Sequence, residues 1–421
     1  MCKGTDLERR GRGDMHRFMH PLWAMAAVGL VVLGAVAWLG WESAAEAAET
    51  VKIGAVVPLT GRYGAPGAQN KTGYELGVEA INRAGGVTVG RQKLPLQLVM
   101  LDDESDSTKT VARLETLAAQ GVVAYLGTFG SDLHAAAAAV AEKNKIPYCG
   151  VAFALYSIHQ RGYRYLFSPF WKSPDIAKAT FQVLNDYLPE AQRPKKVAIF
   201  QEKTDWGKEL GDLWVKAAAA HGYQIVVQAE YAVGSKDFSD IILRAKSAGA
   251  EALLSLPNPP DGMAIVKQMQ ELDYTPKFTF VIRAPDAPVW SRNLGKAGDY
   301  ILLGPGWHNG VKYPGVAELN QAHLQRLGRP ADPITGPSFA CVQLLANAIE
   351  QAGSLDRDKI RDAMAATAMT TVVGPVRFNP DGTGQVRAVL VQWLDGVQEL
   401  VWPKEFATKP FAYPAPPFKQ R

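Results

Sequence analysis

The chain has 421 residues, long enough for two or more lobes that each bury a core. With 47% hydrophobic and 20% charged residues, and its 39 glycines and 27 prolines spread throughout, it is neither disordered nor fibrous. A formal charge of +4 without a basic stripe excludes nucleic acid as a partner.

The first element in chain order is an address. Arg9, Arg10, Arg12 and Arg17 precede an uncharged apolar run from Leu22 to Trp41, and the small-residue site Ala45-Glu46-Ala47 follows. That order is a signal peptide over residues 1–47, cleaved after Ala47, with the mature chain exported to the periplasm; an uncleaved anchor is the rival, because a run of this length also spans a bilayer. Beyond it the cysteines are Cys149 and Cys341, which allow one disulfide or two buried thiols and carry no metal-ligand spacing.

From Val51 onward, β-branched runs alternate with segments of helical period, the signature of parallel sheets covered by helices. Strands are expected over 51–57, 96–101, 122–126 and 146–149. The intervening helices include one with Tyr74, Val78 and Ile81 on its apolar face, stopped by Gly85-Gly86, and another over 133–143. After a proline-flanked stretch at 167–174 the rhythm restarts: strands over 196–200, 224–227, 252–256 and 278–282 alternate with helices over 206–220, 238–248 and up to Leu272. Later come helices near 315–327, 337–352 and 357–367, a hairpin turn at Asn379-Pro380-Asp381-Gly382 and a long strand to Trp393. The tail from 401 to 421, with Pro403, Pro410, Pro414, Pro416 and Pro417, is expected to be extended, packed on a lobe or mobile.

The two halves echo each other at the loop after their first strand, which reads Thr60-Gly61-Arg62-Tyr63-Gly64 in one and Thr204-Asp205-Trp206-Gly207 in the other. Both lie at the carboxyl edge of a parallel sheet, where helix N-termini offer unpaired N–H groups and α/β folds bind ligands. Two such edges face to face form a cleft that an aromatic from each side closes.

With these residues in view, the chain resembles the periplasmic solute-binding proteins of branched-chain amino acid ABC importers, over essentially all of 51–400. The similarity rests on Ile53-Gly-Ala-Val-Val-Pro-Leu-Thr-Gly61, Ala80-Ile-Asn-Arg-Ala-Gly-Gly86, Lys196-Val-Ala-Ile-Phe200 with Trp206-Gly207, Asp237-Phe-Ser239, and Val373-Gly-Pro-Val-Arg-Phe378. It implies an α/β fold of two doubly wound parallel-sheet lobes joined by a three-crossover hinge, the type I periplasmic binding fold, with crossovers near Ser168, Gly304 and Gly374. The lobes would then be 48–168 plus 305–373 and 169–304 plus 374–400. It also implies a monomer that captures a small-molecule carboxylate by hinge closure and docks on inner-membrane ABC permease subunits, without cofactor, metal or chemistry on the ligand. A sensor of the same fold that reports to a membrane receptor is the alternative.

Residue by residue, the resemblance places the serine that holds a ligand carboxylate at Ser131, in Gly127-Thr128-Phe129-Gly130-Ser131. The neighbouring backbone donors fall at Ala152 and Ala154, and the lobe aromatics at Tyr63 and Trp206. Phe129, Gly130, Phe153, Tyr156, Asn258 and Arg283 complete the candidate set. Two positions depart from the family: its threonine falls on Ala154, and the glutamate that pairs with an ammonium falls near Ala284. A closed cleft is costly for an unpaired ammonium, so the ligand is read as an acid without an amino group, aromatic or dicarboxylic, with Arg283 as a second anion-binding fork. Other readings stand beside these: Ser131 as a helix cap, Tyr63 and Trp206 as packing, and Arg283 paired with Asp286 at the surface. An exported enzyme is disfavoured by the lack of a nucleophile-base pair, a metal cluster or a dinucleotide fingerprint.

Overall fold

The computed structural model describes residues 49–421, so the export segment and its cleavage after Ala47 lie outside the described residues. Among the described residues no helix is long and apolar enough to cross a membrane.

The first lobe is built on β1, Val51–Val57, whose β-branched side chains are buried on both faces as a central parallel strand requires. β2 (Val87–Val89) and β3 (Gln92–Leu94) form a small hairpin, and β4 (Leu96–Asp102) pairs with β1 along its whole length. β5 (Ala124–Leu126), β6 (Tyr148–Cys149) and β7 (Leu166–Phe167) complete a parallel sheet of order β4-β1-β5-β6-β7. Helix α1, Gly64–Arg83, stops where expected: Gly85 and Gly86 take φ of 103° and 83°, and the Gly86 N–H reaches back to Ile81 O at 3.0 Å. α2, Ser107–Ala119, is capped by the Asp106 carboxylate, and α3, Ser131–Asn144, leads to β6.

After β7 the chain passes to a second sheet. α4 (Ser173–Tyr187) leads to β8 (Lys196–Glu202), α5 (Asp205–Ala220), β9 (Gln224–Tyr231) and α6 (Ser239–Ser247). β10 (Ala252–Ser255), α7 (Pro259–Glu271), β11 (Phe278–Val281), α8 (Val289–Leu294) and β12 (Ile301–Leu303) follow. The chain then returns to the first lobe with α9 (Val316–Leu327), α10 (Thr335–Ala352) and α11 (Arg357–Ala365), α10 lying along α1. The hairpin of β13 (Ala368–Thr371) and β14 (Gly374–Arg377) belongs to neither main sheet. β15 (Leu390–Leu394) and β16 (Val397–Trp402) add antiparallel to β12, giving the order β16-β15-β12-β11-β10-β8-β9. This is an α/β fold of two parallel-sheet lobes.

Two expectations change. The long strand to Trp393 is short, because the turn at Asn379 is pulled onto the first crossing instead: Ser168 N–H donates to Gly382 O at 2.9 Å, and Gly384 N–H to Ser168 O at 2.8 Å. The third passage between sheets therefore falls between Arg377 and Leu390, after Gly374. The tail packs: Ala412 N–H donates to the Gln392 side chain at 2.9 Å, and the Arg421 guanidinium donates to Ala297 O and Asp299 O. Cys149 and Cys341 are joined as a disulfide across 192 residues of sequence, linking β6 to α10 and so stapling together the two chain segments that make the first lobe.

Candidate functional site

The echo between the loops is structural. A Cβ on Gly67 would lie 1.8 Å from Pro58 O, and one on Gly207 would lie 1.9 Å from Glu202 O. Each helix thus starts against the carbonyl at the end of its own lobe's first strand, an approach only glycine permits. Thr204 caps α5 by accepting the Gly207 N–H at 3.0 Å. This fixes Tyr63 and Trp206 at the two carboxyl edges.

Between the edges lies a small cavity of about 20 Å³, lined by Phe129, Gly130, Ser131, Ala152, Phe153 and Ala154 from the first lobe and by Trp206, Ile282, Arg283 and Asp286 from the second, with Phe170, Trp171 and Gly304 at the crossings. Eight of the candidate residues meet there. Ser131 is not a helix cap: Gly130, at φ 93°, occupies that position. The Ser131 Oγ accepts the N–H groups of Ala154 at 3.4 Å and Leu155 at 3.3 Å, which leaves its own hydrogen to donate beside the unpaired N–H groups of the α3 N-terminus. The loop is held from the second lobe, since Ser173 donates to Ala154 O and the buried Lys172 Nζ to Phe153 O at 3.0 Å.

Arg283 does not pair with Asp286, nor does it lie at the surface. Its guanidinium contacts Glu202 at 2.5 Å, with side-chain exposures of 5% and 3%. Nη1 donates to the Tyr63 hydroxyl at 3.1 Å, Nε to Pro257 O and Nη2 also to Leu256 O. Four of its five N–H groups are therefore committed within the protein, and it offers no open fork to a second carboxylate. The Tyr63 and Trp206 rings flank it, 5.4 and 4.9 Å from the guanidinium carbon. Tyr63 thus supports the cleft through Arg283 and passes the contact on, donating to Asp132, which pairs with Arg62. The backbone here is strained: Arg283 sits at φ 72°, ψ −52°, with Ala284 N–H donating to Ile282 O at 2.9 Å, a γ-turn that non-glycine residues rarely adopt.

Burial works against the Arg283 charge, but Glu202, then Tyr63 and Asp132, more than restore it, so its pKa is raised. Burial also raises Glu202 while the guanidinium pulls it back; at 2.5 Å the ion pair is the governing state. Asp286 has no such partner. It is 5% exposed, its Oδ1 has no hydrogen-bond partner, and burial pushes it up to about 8 against the pull of Arg283. Between about pH 4 and 8 the folded protein therefore holds a proton that the unfolded chain has released. Stability should fall as pH rises through that window, by up to about 1.4 kcal/mol per pH unit. In thermal melts, Asp286→Asn is expected to gain on the wild type progressively from pH 5 to 8; a difference constant with pH would refute this.

Besides Tyr63, which reaches the cleft through Arg283, two candidates stand apart from the cavity. The Tyr156 hydroxyl donates to Asp381 at 3.2 Å, and the residue lines a separate groove with Lys172 and Asp175. Asn258 caps α7, accepting the Asp261 N–H at 3.1 Å and donating to the Asp261 carboxylate at 2.6 Å; Asn-Pro-Pro-Asp is itself a helix-start signal. Sequence reading missed Glu202, Phe170 and Trp171, and weighed Asp286 only as a surface partner. The available signals were the position of Glu202 just before a capped helix and the aromatic pair inside the proline-flanked crossing. Among the described residues no group of three or more His, Cys, Asp or Glu is gathered to hold a metal ion.

A model of the family described as periplasmic binding protein matches residues 50–398. The leucine-, isoleucine-, valine-, threonine- and alanine-binding protein of Pseudomonas aeruginosa is 24% identical over 356 residues, covering 83% of this chain and 91% of that protein. Among solved structures, a leucine binding protein from Thermotoga maritima superposes with a TM-score of 0.76 at 22% identity, covering 83% of this chain and 97% of that one. A solute binding protein of an ABC transporter from R. palustris, in complex with benzoate, gives 0.72 at 18% identity, with 84% and 95% covered.

Proposed function

Since the chain belongs to the branched-chain amino acid-binding family of periplasmic binding proteins, non-enzymatic substrate-binding components of ABC transporters for amino acids or similar small ligands, we propose that its own ligand is a small aromatic monocarboxylic acid. The observation that carries this reading is the wall of the cleft: Phe129, Phe153, Phe170, Trp171 and Trp206 enclose a space whose first-lobe end carries Ser131 and the start of α3. The carboxylate accepts the Ser131 hydroxyl hydrogen and the α3 N–H groups, where the helix dipole favours an anion, and the flat ring fills the aromatic slot. Closure follows because these contacts need both lobes, and the closed form is the one that docks on the permease subunits in the inner membrane. Export through the cleavable signal peptide delivers the protein to the periplasm. A dicarboxylic acid loses its support because Arg283 is occupied.

One observation favours a second reading. Asp286, two residues beyond Ala284, is a buried carboxyl in the cleft without a hydrogen-bond partner on Oδ1, and an ammonium could use it; an α-amino acid is then the ligand. Thermal shift on protein refolded to remove bound ligand separates the two. With ligand at about 100 times Kd the native state gains about 2.7 kcal/mol. Benzoate or phenylacetate should raise Tm while leucine and phenylalanine do not; the reverse would overturn the aromatic-acid reading. Calorimetry at pH 7 in buffers of different ionisation heat adds a check, because an ammonium would expel the Asp286 proton and an aromatic carboxylate would leave it.

A further inference from the structure

Two side chains lining the cleft are unsatisfied, and they are complementary. Among the described residues the Trp206 indole N–H, on a residue 5% exposed, has no acceptor, and Asp286 Oδ1 has no donor. Buried polar atoms are nearly always paired, so two orphans in one binding cavity point to a ligand group that pairs them. The other buried side chains with unpaired atoms among the described residues, such as His134, His159 and Tyr231, do not line this cavity. Both orphans also border Arg283: the Trp206 ring lies 4.9 Å from the guanidinium carbon, and the Asp286 N–H donates to Arg283 O at 3.2 Å. Both are carried by the second lobe and line the same cavity as Ser131.

Few chemical groups answer a donor and an acceptor at once. An ammonium only donates and would leave the Trp206 N–H unpaired; a carboxylate only accepts, and although it could take the proton that buried Asp286 keeps, it offers the Asp286 Oδ1 no donor. A hydroxyl does both, and its second lone pair is available to the fifth N–H of Arg283, the one Nη1 hydrogen that no protein group takes. We propose that the ligand is a hydroxylated aromatic acid, whose hydroxyl donates to Asp286 Oδ1 and accepts from Trp206 Nε1 while its carboxylate binds at Ser131. This rests on the aromatic-acid reading and adds the substituent that sets specificity. A site built to hydrogen-bond a hydroxyl rejects the analogue without it far more strongly than an apolar pocket rejects an extra methyl group.

The test is isothermal titration of the mature protein with benzoate, the three hydroxybenzoates and the three methylbenzoates, which match the hydroxyl in size without hydrogen bonding. At one ring position the hydroxy acid should bind at least about tenfold more tightly than its methyl counterpart. That ratio should fall to about threefold or less in Trp206→Phe and, independently, in Asp286→Leu, with each variant checked for a cooperative melt. If benzoate binds but no hydroxybenzoate outbinds its methyl counterpart, the hydroxyl assignment is overturned and the aromatic-acid reading stands. If the ratio is present in the wild type and survives both variants, the two residues are not its receptors. If leucine binds and none of the aromatic acids does, both readings are overturned.

Discussion

Glu202→Met should destabilise the protein by about 3–5 kcal/mol, and by more than Arg283→Met. The guanidinium cannot shed its proton, so removing Glu202 leaves a full charge in a site where Arg283 is 5% exposed and only carbonyl oxygens and Tyr63 remain as partners. Removing Arg283 instead leaves a carboxyl that burial already raises, and protonation relieves it. The double variant Glu202→Met/Arg283→Met should recover much of the loss, because it buries two apolar chains rather than one unpaired charge. Urea denaturation of the four proteins checks this. Equal costs for the two single variants, or strictly additive effects in the double, would show that the pair is not the coupled unit its geometry describes.

The second large effect is that of the disulfide. Chain entropy for a loop of 192 residues amounts to roughly 5 kcal/mol, and losses of about 2–5 kcal/mol are usual when such a bond is removed. Cys149→Ala/Cys341→Ala should therefore unfold at markedly lower urea, and reductant should shift the wild type to the same midpoint while leaving the variant unmoved. Both cysteines are fully buried, so reduction under native conditions should be slow and should accelerate once urea opens the first lobe. Rapid reduction of the folded protein would contradict that burial.

The parts legible in the sequence are those written locally. The strand at Val51–Val57, the glycine stop after α1, the glycine-anchored loops that carry Tyr63 and Trp206, and the Ser131 and Phe153 loops all follow from residues near one another in the chain. The illegible parts depend on which strands become neighbours. Glu202 and Arg283 are 81 residues apart and meet because β10 alone separates β8 from β11; aligning a family glutamate onto Ala284 concealed the fact that carboxyl groups come from the end of β8 and from Asp286. Arg283 therefore read as a free fork when it is a committed one. Tyr156 misled for the same reason: its loop lies beside the cleft, but a 3-10 turn carries its hydroxyl to Asp381.

The stapled, two-segment construction of the first lobe also fixes an order of events. At synthesis rates of about 5–20 residues per second, Cys341 emerges roughly 10–40 s after Cys149, 192 residues earlier in the chain. Throughout that interval α1 lacks α10, the helix that packs along it, while the strands from β8 to β12 leave the ribosome as one uninterrupted run. The parallel part of the second sheet can thus form while the lobe that is begun first still waits for its closing helix.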